Sequence, residues 1–257
     1  MICDLSDYVQ QQIYFLGVYE PQLSHAFVRM LRPGMVVVDA GANVGQHTLL
    51  ASTAVGEGGS VHSFEPVPQI FEALSRHVAM NSLRDVQLNR MALWCEETEL
   101  ALGLPAGHDG NKGAYSIRAA SRESTAVRAP AVQLDTYVAA QKIQRVDVIK
   151  MDVEGAEPFA IRGARETLRE FAPTIFIEIY GEGLTGMGSS PRELWDELAP
   201  FGYCAWEIGY SPAQVRRLNS FDHITLANVL LTRGDFPAEL ASGWTVHSVK
   251  RWARSGW

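Results

Sequence analysis

The chain has 257 residues, 47% of them hydrophobic and 20% charged, which suits one α/β domain with a fully buried sheet. A net charge of −7 without any stripe of lysine or arginine argues against nucleic acid and anionic membranes as partners. No apolar run approaches the roughly 20 residues that span a bilayer, and Met1-Ile2-Cys3-Asp4 has no export-signal pattern, so a cytoplasmic location is expected.

In chain order, Leu5, Tyr8, Gln12 and Phe15 fall at helical spacing and predict a short amphipathic helix laid on the domain through that face. Leu23 to Leu31 predicts a second helix, stopped by Arg32-Pro33-Gly34, so residues 1–33 form a helical cap. Val36-Val37-Val38 then reads as a strand buried on both faces, ending at Asp39. The turn Gly41-Ala42-Asn43-Val44-Gly45 leads into a helix over Thr48 to Val55. Strand, glycine turn and helix together make a ligand crevice at the carboxyl end of a strand. Asn43 and Gln46 stand where a dinucleotide fingerprint needs glycine, and no phosphate-binding Gly-Lys-Ser/Thr loop occurs. Asp39 repels phosphate but suits an ammonium or sulfonium ligand.

Ser60 to Glu65 predicts the second strand, with Glu65 about 24 residues beyond Gly41, where an acid at a strand end binds a ribose diol. Pro68 to Asn81 is a helix and Val86 to Leu93 a third strand, whose end places Ala92 and Leu93 either to line a bound base or to pack in the core. Residues 103–130 lose regular pattern and are expected to form an insertion or lid, with a hairpin of Leu100 to Leu104 against Tyr115 to Arg118 and a tip from Gly107 to Gly113. Regular pattern returns at Ala131 to Asp135, and a helix at Thr136 to Lys142 and a fourth, buried strand from Val146 to Asp152 follow. One helix is predicted from Glu157 through Phe171 and a fifth strand over Ile175 to Tyr180. A helix at Pro191 to Pro200, strands at Tyr203 to Ile208 and Ile224 to Thr232, and a tail over 236–257 complete the chain.

Several of these residues together carry a family resemblance: Tyr19-Glu20-Pro21, Val38-Asp39-Ala40-Gly41-Ala42-Asn43-Val44-Gly45, Phe64-Glu65-Pro66, Leu134-Asp135 and, most specifically, Lys150-Met151-Asp152-Val153-Glu154-Gly155-Ala156-Glu157. The chain resembles the FkbM family of S-adenosylmethionine-dependent methyltransferases. That resemblance implies a Rossmann-like α/β fold with a seven-stranded, mostly parallel sheet, helices on both faces and the last strand antiparallel. It also implies S-adenosylmethionine as cofactor, held by Asp39, Gly41, Asn43, Gly45, Glu65 and Ala92. The reaction implied is methylation of a hydroxyl on a saccharide or secondary metabolite. No Asn/Asp-Pro-Pro-aromatic block, of the kind used by amino-methylating enzymes, follows the fourth strand, which favours oxygen as the acceptor atom.

For the chemistry, Asp152 is the expected alignment or base residue, with Glu154 and Glu178 binding acceptor hydroxyls. His47 and His223 are weaker candidates for the base. Asp152, Glu154 and Glu178 could offer oxygen ligands to magnesium, but no His or Asp cluster has diagnostic spacing and no metal is expected. Cys3, Cys95 and Cys204 suggest neither disulfides nor zinc. A small-molecule or glycan acceptor and a monomer or homodimer are expected. Two other functions stay open: a nucleotide-dependent oxidoreductase on a similar sheet, and a methyltransferase-like binding module without chemistry.

Overall fold

The computed structural model describes residues 1–104, 110–111, 113–117, 126–209 and 214–241. Helices α1 (Tyr8–Leu16) and α2 (Pro21–Met30) precede β1 (Val36–Ala40), α3 (Gln46–Val55), β2 (Ser60–Phe64), α4 (Pro68–Met80) and β3 (Val86–Asn89). Short strands β4 (Ala92–Leu93), β5 (Thr98–Leu102) and β6 (Val127–Val132) come next, then α5 (Leu134–Ala140), β7 (Val148–Met151), α6 (Glu157–Arg162) and α7 (Arg165–Phe171). The chain continues through β8 (Thr174–Tyr180), α8 (Gly181–Gly186), α9 (Pro191–Leu198), β9 (Cys204–Glu207), β10 (Arg216–Leu218), β11 (Leu226–Thr232) and α10 (Ala238–Ala241).

The main sheet runs β10-β9-β11-β8-β7-β1-β2-β3. Its β8-β7-β1-β2-β3 portion is parallel, and β11 lies antiparallel between β8 and β9. The core lies on both faces of this sheet: Val38, Ile149, Ile175 and Ile177 pack in one cluster, and Val37, Val61, Val148 and Phe176 in the other. Such two-sided burial is why these strands are unbroken apolar runs, each full side chain contributing about 1.5–3 kcal/mol. Parallel register aligns the carboxyl ends of the central strands: Ala40 sits opposite Phe64 and Met151. Backbone bonds extend the alignment past the strands, from Gly41 N to Phe64 O and from Asp152 N to Ala40 O, both 3.0 Å. Gly41, Glu65 and Asp152 are thereby gathered at one edge.

Five expectations need correction. The main sheet has eight strands, not seven, because β10 adds an antiparallel edge to β9. The third strand stops at Asn89, and Ala92–Leu93 leaves to pair with β6 in a separate three-stranded sheet, β4-β6-β5. Leu100 to Leu104 does not form a hairpin with Tyr115 to Arg118: β5 pairs with β6, and a bridge between Gly103 and Ser116 is what the described residues retain of it. The helix expected from Glu157 to Phe171 breaks at Gly163, where a Cβ would lie 1.9 Å from the Trp94 carbonyl oxygen of the small-sheet segment. Finally, α1 has the predicted period but the opposite face: Val9 and Ile13 are buried, whereas Tyr8 and Phe15 are exposed.

Most of the predicted tip, 105–109 and 112, and the tail from 242 onward with its tryptophans lie outside the described residues. The described part of the tail packs: Phe236 meets the Trp206 ring edge-on, and Arg29 donates to the Glu239 carbonyl.

Candidate active site

The turn after β1 is shaped by its own protein contacts. Gly41 (φ 76°) has no room for a side chain, since a Cβ would come within 1.8 Å of the Asp152 carbonyl oxygen. Gly45 (φ 97°) likewise faces Leu74, 2.6 Å from where a Cβ would stand. What requires these glycines is the close approach of the turn after β1 to the backbone leaving β7 and the packing of Leu74 on α4. Asn43 takes the left-handed conformation that asparagine tolerates (φ 50°), its Oδ1 accepting from Val44 N at 2.7 Å.

Glu65 is buried behind this turn. Its Oε2 accepts from Asn43 N at 3.0 Å and its Oε1 from Val67 N at 2.9 Å. Each oxygen retains a further lone pair for a ligand hydroxyl. Burial pushes its carboxyl up to about 7, against the pull of the two amides. Asp39, on β1, is fully buried; Oδ2 accepts from Thr48 at 2.7 Å and Oδ1 has no partner among the described residues. Burial raises its carboxyl, opposed by Lys150 and Thr48.

A cleft partly open to solvent joins these groups: Gly41, Glu65, Ala92, Tyr115, Asp152 and Glu154 line it. Asn43 and Gly45 do not; Asn43 borders a wider cleft of about 1420 Å³ beside His77 and Arg76 on α4. The first cleft has apolar walls, Phe64, Leu93, Trp94 and Leu102, with the Glu65 carboxylate among them. The insertion contributes to this cleft, with Gly113 so close to Asn43 that an added Cβ would meet its amide at 2.3 Å.

The segment from Lys150 to Glu157 supplies the acidic wall. Glu154 (φ 56°) and Gly155 (φ 96°) are consecutive left-handed residues, and Gly155 passes within 2.4 Å, measured from its would-be Cβ, of the Gly183 carbonyl carbon. A non-glycine residue in that conformation costs about 1 kcal/mol or more and persists where neighbours impose it. Glu157 imposes it: its Oε1 accepts from Val153 N at 3.1 Å and Gly155 N at 3.3 Å. Burial pushes Glu157 up to about 7. The motif therefore combines a brace, Glu157, with the groups it presents, Asp152 and Glu154.

Glu178 stands on β8 in hydrogen-bond contact with Asp152, and its antiparallel register partner is Asn228 on β11. The Asp152 charge first, then burial, Glu20 and Glu154, push Glu178 up to about 10. Burial, then Asp152 and Glu157, push Glu154 up to about 8. The three expected chemical residues are thus brought together. Two further residues join them that were not assigned roles from sequence. Glu20 accepts from Asn228 Nδ2 at 2.7 Å, and its carboxyl is raised by burial and by Asp152. Tyr19 lies in the same field, its phenol raised by burial and by Glu20, Glu178 and Asp152. Their appearance in the Tyr19-Glu20-Pro21 block was the available signal; Asn228 gave none.

His47 does not line this cleft. It is buried between Ser24 Oγ, 3.2 Å from its Nε2, and the edge of Phe27, with burial holding its pKa well below the usual histidine range. His223 is exposed on the segment before β11. Among the described residues no trio of His, Cys, Asp or Glu side chains has the geometry of a metal site, and no helix is long and apolar enough to cross a membrane.

Residues 39–212 match the family model described as a methyltransferase FkbM domain. Methyltransferase 1 of Beauveria bassiana is 25% identical over 159 residues, covering 56% of this chain and 64% of that protein. The 31-O-demethyl-FK506 methyltransferase FkbM of Streptomyces tacrolimicus is 25% identical over 161 residues, covering 53% and 62%. The chain thus spans slightly less than two thirds of the length of these curated relatives. A solved structure titled as a putative rRNA-methylase from Clostridium thermocellum shares the fold, with a TM-score of 0.51 at 12% identity over 84% of this chain and 96% of that one. The family match decides against the oxidoreductase alternative, and the chain belongs to the FkbM family of S-adenosylmethionine-dependent methyltransferases.

Proposed function

We propose that the chain transfers a methyl group to a hydroxyl oxygen of a small-molecule or glycan acceptor. The observation that carries this reading is that one cleft holds both Glu65 and Asp152: a diol acceptor at the end of β2 and a carboxylate at the end of β7. When bound, S-adenosylmethionine supplies a methyl carbon already activated by its sulfonium. The chain's own residues must place the acceptor oxygen in line and take its proton as the new bond forms.

In this reading Gly41, Glu65 and Ala92 contact the cofactor, while Asn43 and Gly45 build the turn behind it. Asp39 acts through its field, since Thr48 and the sheet enclose it. Asp152 receives the proton of the acceptor hydroxyl, and Glu154 and Glu178 bind neighbouring hydroxyls. A Glu178 pushed up to about 10 carries a proton at neutral pH and can donate as well as accept.

Incubation of the protein with isotopically labelled S-adenosylmethionine and fractionated metabolite extracts, read by mass spectrometry, identifies the acceptor. A labelled product that forms with the native chain and whose methyl is released as a methyl ether fragment supports the reading. A methylated amine, or cofactor binding without transfer to any fraction, contradicts it.

A further inference from the structure

Lys150, which opens the Lys150-to-Glu157 motif, is a buried cation in an otherwise acidic site. It lies on β7, only 5% exposed, beside Asp39 of β1 and Phe176 of β8 in the sheet register. Its Nζ donates to the Gly41 carbonyl and to Asp152 Oδ2, both at 3.2 Å. One ammonium therefore ties the glycine turn of β1 to the carboxylate at the end of β7. Burial alone would lower its pKa, but Asp152, Asp39 and Glu20 together hold it above the ordinary lysine range.

Acidic groups face it from every neighbouring element. Asp39 comes from β1, Glu65 from the end of β2, and Asp152 and Glu154 from the loop after β7, with Glu157 at the start of α6 and Glu178 on β8 next to Asp152. Tyr19 and Glu20 approach from the segment before α2, and neutral His47 lies on α3. Lys150 is the cation that enters the electrostatics of Glu20, Asp39, Glu65, Glu154 and His47.

Two carboxyl groups in hydrogen-bond contact share one proton over a wide pH range, and their surroundings decide which one carries it. Asp152 has an ammonium at 3.2 Å. Glu178 makes no such bond to a cation among the described residues; it faces Asp152, Glu20 and Glu154, with Asn228 as its register partner on β11. We propose that Lys150 is a positioning residue that keeps the shared proton of the Asp152–Glu178 pair on Glu178, and so makes Asp152 the base of the reaction. This rests on the reading of Asp152 as base, yet its test needs neither cofactor nor acceptor, so a failed transfer assay and a failed test are separate results.

The experiment is carbon-13 NMR titration of the side-chain carboxyls in the full chain, with signals assigned through Asp152→Asn and Glu178→Gln. In the native protein at pH 7 the Glu178 signal is expected to be that of a carboxylic acid. In Lys150→Met, checked for folding by circular dichroism, the proton shifts toward Asp152, whose midpoint rises by at least one pH unit, a tenfold change in proton affinity. Lys150→Arg, which keeps the cation, returns the native pattern. An unchanged Asp152 midpoint in folded Lys150→Met overturns the proposal. If that variant does not fold, the native protein still decides: a proton found on Asp152 and not on Glu178 at pH 7 overturns it too.

Discussion

A glycine and a carboxylate separate structural from chemical roles at the level of single residues. Gly41→Ala places a Cβ 1.8 Å from a backbone oxygen at a positive φ, so the turn must shift. Thermal melting is expected to show a loss of about 1–3 kcal/mol, accompanied by weakened cofactor binding. An unaltered melting temperature would show that the turn relaxes freely. Asp152→Asn preserves shape and hydrogen bonding and removes the charge. Turnover is expected to fall by roughly 10²–10⁴ with cofactor affinity little changed by calorimetry, and near-native turnover would move the proton to water or another group. Gly41, Glu65 and Asp152 were legible in the sequence because each follows a buried strand, and local pattern places strand ends. Glu20 and Asn228 were not assigned because they are 208 residues apart and meet only through the sheet.

The loop after β7 is the element that presents the chemistry, and Glu157 is its brace. Glu157→Ala frees the Val153 and Gly155 amides and removes a barrier to relaxation of the left-handed Glu154. Hydrogen exchange at those two amides is expected to accelerate at least tenfold, with a stability cost of about 1–3 kcal/mol. Unchanged exchange there would assign the loop's conformation to Gly155 and Gly183 alone. The motif itself was readable as Lys-x-Asp-x-Glu-Gly-x-Glu, but its division into brace and presented groups was not, since spacing does not tell which carboxylate turns back onto its own backbone. The same limit explains the other misses. The end of β3 at Asn89 and the break at Gly163 depend on the small sheet and Trp94, and the buried face of α1 depends on what Val9 and Ile13 meet across the domain.

For the molecule as a whole, the raised carboxyls set a pH dependence. Glu65 and Glu157 at about 7, Glu154 at about 8 and Glu178 at about 10 all lie above the usual glutamate value, so the folded chain binds protons more tightly than the unfolded one. Their contribution to stability is complete below about pH 4.5 and is lost as pH rises through about 7 to 10. The melting temperature of the ligand-free protein is expected to fall between pH 6 and pH 9.5; a rise over that interval would contradict these shifts. A cationic ligand in this field lowers the same pKa values, so S-adenosylmethionine should bind with proton release. The central claim is that the cleft bordered by Gly41, Glu65, Ala92 and Asp152 holds the methyl donor with its sulfur toward Asp152. A crystal structure with S-adenosylhomocysteine tests it most directly. Ribose hydroxyls on Glu65, the base against Ala92 and Leu93, and the sulfur facing Asp152 are the expected result; a nucleoside lodged in the wider cleft beside His77 and Arg76 would overturn the assignment.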